Sequence, residues 1–342
     1  MHMKKYIILF GIIIVLLIIS GVFYINFKKT KQQSINNMIS SFVDDEGKPK
    51  KMEKIDPDIR LSDLKTDFNK TIIDTSQILS GGPGKDGIPA LINPKFTNIT
   101  SADFPEESLG ILVRFDSEVR YYPYNILVWH EIVNDNIGGN YFTATFCPLC
   151  GSGIVYNREV GGDILEFGVS GRLFESNLLM YDKKTESLWS QARGEAVVGD
   201  YTSTKLEILP MQLITFATVK EKYPNAKVLS KKTGHLRNYS FYPYGNYDEN
   251  DDIYFPTSDF DDKYQPKEIM FVIPVEDKSV AVPNKDVKEG KKITKKINGK
   301  TLEVEKTDGE VFAKLNNKPV PGYYEMYFSW NIHHADDGIL WN

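Results

Sequence analysis

From Tyr6 to Phe27 the chain reads YIILFGIIIVLLIISGVFYINF, without one charge. Roughly 20 apolar residues cross the hydrocarbon layer as a helix, which satisfies its own backbone groups. The pattern therefore predicts an N-terminal transmembrane helix, with residues 1–27 as a membrane anchor. Lys4 and Lys5 precede the stretch and Lys28, Lys29 and Lys31 follow it, so charge alone orients it weakly. The short leading segment and the long polar remainder favour a single-pass protein of the cell membrane, N-terminus cytoplasmic and bulk extracytoplasmic. A cleaved signal peptide is the rival reading. Its apolar core runs about 7–15 residues before a small-x-small site, and Ile19-Ser20-Gly21 is a poor one.

Residues 28–75 are polar and charge-dense, as in a linker. Beyond them aromatic and β-branched residues rise, and Gly, Pro and Asx-Gly turns recur. Strands are predicted at Leu109–Phe115, Val119–Tyr122, Tyr141–Phe146, Gly153–Asn157, Ile164–Val169 and Ile269–Ile273, with Gly161-Gly162-Asp163 as a hairpin turn. Ile126, Leu127, His130 and Val133 fall at helical spacing after Pro123, and Gly138-Gly139 supplies a stop. A second helix is expected from Met211 to Tyr223, stopped by Pro224.

An internal echo accompanies these elements. Val113–Pro123 aligns without gaps on Ile273–Pro283, an offset of 160 residues that also sets Cys147-Pro148-Leu149 on Thr307-Asp308-Gly309. The expected fold class is mainly β with a few helices (α+β): a membrane helix, then a β-rich extracytoplasmic region of two related halves. The first half, residues 76–235, carries the Cys loop. The second, residues 236–342, is its degenerate repeat.

Composition narrows the function classes. Of 342 residues, 41% are hydrophobic and 25% charged, with a net charge of −5. These values are ordinary for a folded chain and exclude wholesale disorder. The mild acidic balance argues against nucleic acid as a partner. Two Cys cannot build a disulfide scaffold.

Those two form the most informative segment, Cys147-Pro-Leu-Cys150-Gly-Ser-Gly153. A thioredoxin-like pair opens a helix, whose N-terminus stabilises the thiolate. Here predicted strands flank the pair, so it sits at a hairpin tip, an order that metal knuckles use. Three readings stay open: half of a site for a soft or borderline metal, Zn or Cu(I); a thiol-disulfide redox pair; and an inert disulfide. The last closes a tiny loop and stabilises little by chain entropy. The metal reading needs further ligands. His130 is preferred because it leads into the Cys-bearing strand; Met180, His235, His333 and His334 are the other candidates.

A polar run follows, with Arg172, Asn177, Met180, Asp182, Trp189 and Gln191 as candidate pocket residues. Arg172 or Arg193 could hold an anion there, and Asp182 could act as a base. No phosphate loop, Ser-His-Asp order or His-Glu-x-x-His pattern is present. The acidic stretch Asp248–Asp252 alternates like a Ca²⁺ loop but has Ile253 where Gly is needed, and reads as solvated surface.

DGIPAL from Asp86, YYPYNILVWHEIVND from Tyr121, CPLCGSG from Cys147, the run from Phe167 to Gly199 and NAKVLSKKTGHLRNYSFYPYGNY from Asn225 together resemble one prokaryotic family, the DUF3179 family. The resemblance covers most of residues 75–275 and implies family membership without implying a reaction. The tail, Trp330-Asn-Ile-His-His-Ala335, departs from the Phe-His-Pro-like ending expected of the family. These readings converge on a membrane-anchored extracytoplasmic protein whose Cys147 and Cys150, with His130, bind metal. The alternatives are an oxidoreductase acting on envelope proteins, with Cys147 and Cys150 catalytic, and an interaction domain with an inert disulfide.

Overall fold

Antiparallel hairpins carry most of the architecture, their strands joined by residues that tolerate positive φ. A computed structural model describes residues 63–341. An eight-stranded sheet runs in the order Leu91–Ile92, Ile132–Ile137, Asn140–Cys147, Ser152–Asn157, Tyr323–Met326, Ile269–Val275, Lys278–Pro283, Gly338–Leu340. Its first four strands come from early in the chain and its last four from the end. The join is the antiparallel bridge Tyr324↔Gly153.

A five-stranded sheet repeats part of that pattern: Gln212–Thr215, Leu109–Phe115, Glu118–Pro123, Lys227–Leu229, Phe96–Asn98. The hairpin Leu109–Phe115/Glu118–Pro123 recurs 160 residues later as Ile269–Val275/Lys278–Pro283. The strands Ile132–Ile137 and Asn140–Cys147 recur at the same offset as Lys292–Ile297 and Lys300–Thr307. Even the flanking register matches: Gln212 pairs with Leu112 as Tyr323 pairs with Val272. Where the early hairpin ends in the Cys loop, the later one turns tightly through Asp308 (φ 54°) and Gly309 (φ 79°).

A second five-stranded sheet, containing Phe167–Phe174, Asn177–Asp182 and Leu188–Ser190, packs Leu179, Tyr181 and Leu188 against Leu64 and Ile78. Thr71 bridges Val198 on the same sheet.

The mainly β expectation stands, with few and short helices: α1 (Tyr124–Leu127), α2 (Phe216–Lys222) and α3 (Tyr327–His333). Among the described residues no helix is long and apolar enough to cross a membrane. The longest have seven residues, about 10 Å of rise against about 30 Å of hydrocarbon. The transmembrane helix of the expected fold class, the membrane as partner and the single-pass localisation therefore gain no support from the described residues. The stretch Tyr6–Phe27 lies outside the described residues.

Two local expectations also change. The helix after Pro123 stops at Leu127, because Glu131 turns the chain at φ 57° and Ile132 starts a strand. Gly138-Gly139 is therefore a hairpin turn between Ile132–Ile137 and Asn140–Cys147 rather than a helix stop. The Met211–Tyr223 segment divides into the strand Gln212–Thr215 and α2, with the Thr215 hydroxyl capping the Thr218 N–H. The β-branched pair Ile214-Thr215 beside a free sheet edge favours pairing over coil.

Candidate functional site

Cys147 ends one strand and Ser152 begins the next, and the two pair across the hairpin. Between them Cys150 N–H donates to Cys147 O at 3.2 Å and Gly151 takes φ 56°. This tight turn aims both sulfurs into the protein rather than out of it. Cys147 is 1% and Cys150 0% exposed. Both are free thiols, which removes the inert-disulfide alternative.

Burial of the pair is not apolar burial. The two thiols are coupled, each shifting the ionisation of the other. Burial drives the Cys147 thiol well up, and Cys150 and the Glu131 carboxyl add to the rise. For Cys150, burial opposes ionisation, but the polar surroundings of Cys147, Ser329 and Asn177 outweigh it and hold the thiol below its ordinary value. As a thiol, Cys150 donates to Ser176 O at 3.4 Å. The pair is thus graded, Cys150 being the more readily ionised of the two.

A buried carboxyl accompanies each sulfur. Beside Cys147, burial pushes Glu131 up to about 8, against a hydrogen bond from the Tyr244 hydroxyl at 3.2 Å. Beside Cys150, Glu325 is 0% exposed and lifted well above the usual carboxylate range, by burial first and then by the Cys150 charge. Neither Glu325 oxygen, nor the Ser329 or Ser176 hydroxyl, nor His333 Nε2 has a hydrogen-bond partner. Unpaired buried polar atoms cost energy, and a native fold keeps them for a reason. Glu131, Glu325 and Ser329 were not foreseen, since no predicted element marked them.

His130 is not a metal ligand here. Its Nδ1 faces Pro89 O at 2.7 Å, so that nitrogen carries the proton, and its Nε2 accepts from Tyr239 OH at 2.8 Å. Both nitrogens are used, and burial lowers the ring to about 4. His235 lies in ring contact with His130, Met180 is strand core, and His334 pairs with Asp337. Among the described residues no group of three or more His, Cys, Asp or Glu is placed to hold a metal ion. The metal-binding function is corrected accordingly: among the described residues the two sulfurs have no third donor placed with them.

The candidate pocket residues divide. Asn177 and Gln191 reach the Cys loop, both bonding through Ser152 Oγ, and Gln191 Nε2 also donates to Thr145 Oγ1. Arg172 pairs with Asp63, and Asp182 accepts from Trp189 Nε1 at 3.0 Å and from the Lys184 and Thr185 amides. Met180 and Trp189 pair across strands. These last four knit the second five-stranded sheet, away from the sulfurs. Arg193 turns its guanidinium to Glu195 and His333 O.

A cleft over the Cys loop has a volume of about 720 Å³, within the usual range of about 300–1,000 Å³ for ligand sites. Pro148 and Gly151 of the Cys loop, with Phe146, Tyr124, Tyr242 and Met326, line it. The sulfurs lie one layer beneath.

The chain belongs to the family described as protein of unknown function (DUF3179), whose family model matches residues 85–335. The match contains both thiols and both buried glutamates. No curated protein and no solved structure matches the chain.

Proposed function

We propose that Cys147 and Cys150 form a two-electron redox centre for a small acceptor, approached from the aromatic cleft over the Cys loop. The observation that carries this reading is two free thiols held together at one hairpin tip and fully buried, with the buried carboxyls of Glu131 and Glu325 near them. Complete burial of both sulfurs argues against a protein disulfide as the partner, since its sulfur could not reach them.

With a hydroperoxide as acceptor the step balances. Cys150 thiolate attacks the distal oxygen, the O–O bond breaks, and the alkoxide leaves as alcohol with one proton. Cys147 then attacks the sulfenic sulfur, an S–S bond forms, and water leaves with the second proton. The two electrons come from the sulfurs. Cys150 supplies the nucleophile and Cys147 resolves, its own proton leaving in the water.

Intact-mass analysis after treatment with hydrogen peroxide tests the reading. The wild type should lose two hydrogens and yield one Cys147–Cys150 disulfide. Cys147→Ser should stop at a sulfenic acid on Cys150 that a diketone traps. Native protein whose thiols stay untouched, where free thiols are oxidised, would refute it.

A further inference from the structure

In each half of the recurring fold, one strand reaches across to the hairpin of the other half. Met326, on the later strand Tyr323–Met326, donates its N–H to Cys150 O at 2.8 Å, and Tyr324 pairs with Gly153. Gln212, on the equivalent early strand Gln212–Thr215, grips Val311 twice: its Nε2 donates to Val311 O at 2.8 Å, and its Oε1 accepts from Val311 N–H at 3.0 Å. Gly153 and Val311 hold the same place in their hairpins, one residue past the closing pairs Cys147↔Ser152 and Thr307↔Glu310. The cleft over the Cys loop is therefore lined from both halves, and by residues at equivalent positions: Leu109 with Ile269, Tyr124 with Asn284, and Phe146 with Lys306.

These walls match in position and differ in chemistry. On the Cys side Tyr124 stacks on Phe146 at 3.8 Å between centroids, an apolar plate. At the equivalent positions stand an amide and an ammonium, Asn284 and Lys306. Lys306 is half-buried, and among the described residues its Nζ has neither a hydrogen-bond acceptor nor a carboxylate within 4.0 Å. Glu289, which feels the Lys306 charge, is itself held by the Asp308 and Gly309 amides. Asp248 also lines the cleft, but it is exposed and its charge acts on Lys267.

We propose that the cleft seats a long-chain alkyl carboxylate, its head on Lys306 and Asn284 and its chain across Tyr124 and Phe146 toward the Cys loop. An unpaired ammonium beside a half-enclosed cleft attracts an anion, and the aromatic plate takes hydrocarbon. One ammonium and one amide match a singly charged carboxylate. A phosphomonoester would bring a second charge that this wall does not neutralise. The use of the seat rests on the thiol reading: the acceptor is then a hydroperoxide of such an acid. The hydroperoxide becomes the alcohol, the two thiols become one disulfide, and one water leaves.

Titration calorimetry on the full chain reads head and chain separately. The Kd of saturated alkyl carboxylates should fall about threefold to fourfold with each methylene added from hexanoate to decanoate. Decanoate should bind more tightly than decanol, and Lys306→Gln should cut that preference about tenfold. Tighter binding of decylammonium than of decanoate, a Kd indifferent to chain length, or an unchanged preference in Lys306→Gln would overturn the seat. Oxidation separates the two claims. Linoleate hydroperoxide should form the Cys147–Cys150 disulfide at about a hundredfold lower concentration than hydrogen peroxide, and Lys306→Gln should shrink that advantage about tenfold. A disulfide formed equally well by both peroxides, with no carboxylate bound, sinks the seat alone. Thiols that neither peroxide oxidises while decanoate binds sink the thiol reading alone.

Discussion

The Met326 backbone N–H donates to Cys150 O across 2.8 Å. That one bond fixes the tip of the Cys hairpin to the strand bearing Tyr323 and Glu325, and to α3, which starts at the next residue. Met326 has φ −72°, a value proline adopts without strain. Met326→Pro should therefore delete the bond while keeping the backbone path. We expect a stability loss of about 1–3 kcal/mol in denaturant titration and slower Cys150 alkylation, whereas Met326→Leu should leave the alkylation rate near wild type.

The two thiols should titrate apart. Removing the S–H donor with Cys147→Ala takes away the first of the groups that hold Cys150 down. The pH profile of Cys150 alkylation should move upward as a result. In Cys150→Ala the remaining Cys147, raised by burial and by Glu131, should stay almost inert to the same reagent at neutral pH. Equal profiles for the two single variants would contradict the grading.

Glu131 should make stability depend on pH. Its folded value of about 8 stands above the ordinary 4.5 because burial disfavours the charged form. The fold therefore binds this proton more tightly than the unfolded chain does. The contribution is complete below about pH 4.5 and is lost as pH rises through about 8. The full difference is on the order of 5 kcal/mol. Glu131→Gln should flatten that decline, which urea titrations across the interval would read as a smaller change in midpoint.

Much of this was legible in the sequence, for stated physical reasons. Cys147-Pro-Leu-Cys150 between two alternating runs predicts a hairpin tip, and Cys147↔Ser152 closes one. The offset of 160 residues marks strands that recur at that spacing. Periodicity failed at His130, because Ile126, Leu127 and Val133 are apolar for two reasons: one pair lies in α1 and Val133 in a strand. His130 itself looked like a ligand because its partners, Pro89 O and Tyr239 OH, are 41 and 109 residues away. Glu325 escaped notice for the same cause. Nothing local marks a carboxyl that the fold buries against a thiol from the other half of the chain.

Gly153 offers a test of how tightly the cleft wall is built. A Cβ at this position would stand 2.2 Å from Tyr124 OH, and Tyr124 is stacked on Phe146 at 3.8 Å between centroids. The ring cannot swing away without leaving that stack and the cleft it lines. Gly153→Ala should cost about 1–3 kcal/mol through overpacking. The Tyr124 hydroxyl is buried with no hydrogen-bond partner, so Tyr124→Phe alone should be neutral or slightly stabilising. In the double variant the clash shrinks to the ring carbon, 3.3 Å from the new Cβ, and most of the Gly153→Ala loss should return. A double-mutant cycle by thermal or urea unfolding gives the coupling directly. Additive losses would mean that the ring does shift, and that the wall of the cleft beside the Cys loop is softer than its packing implies.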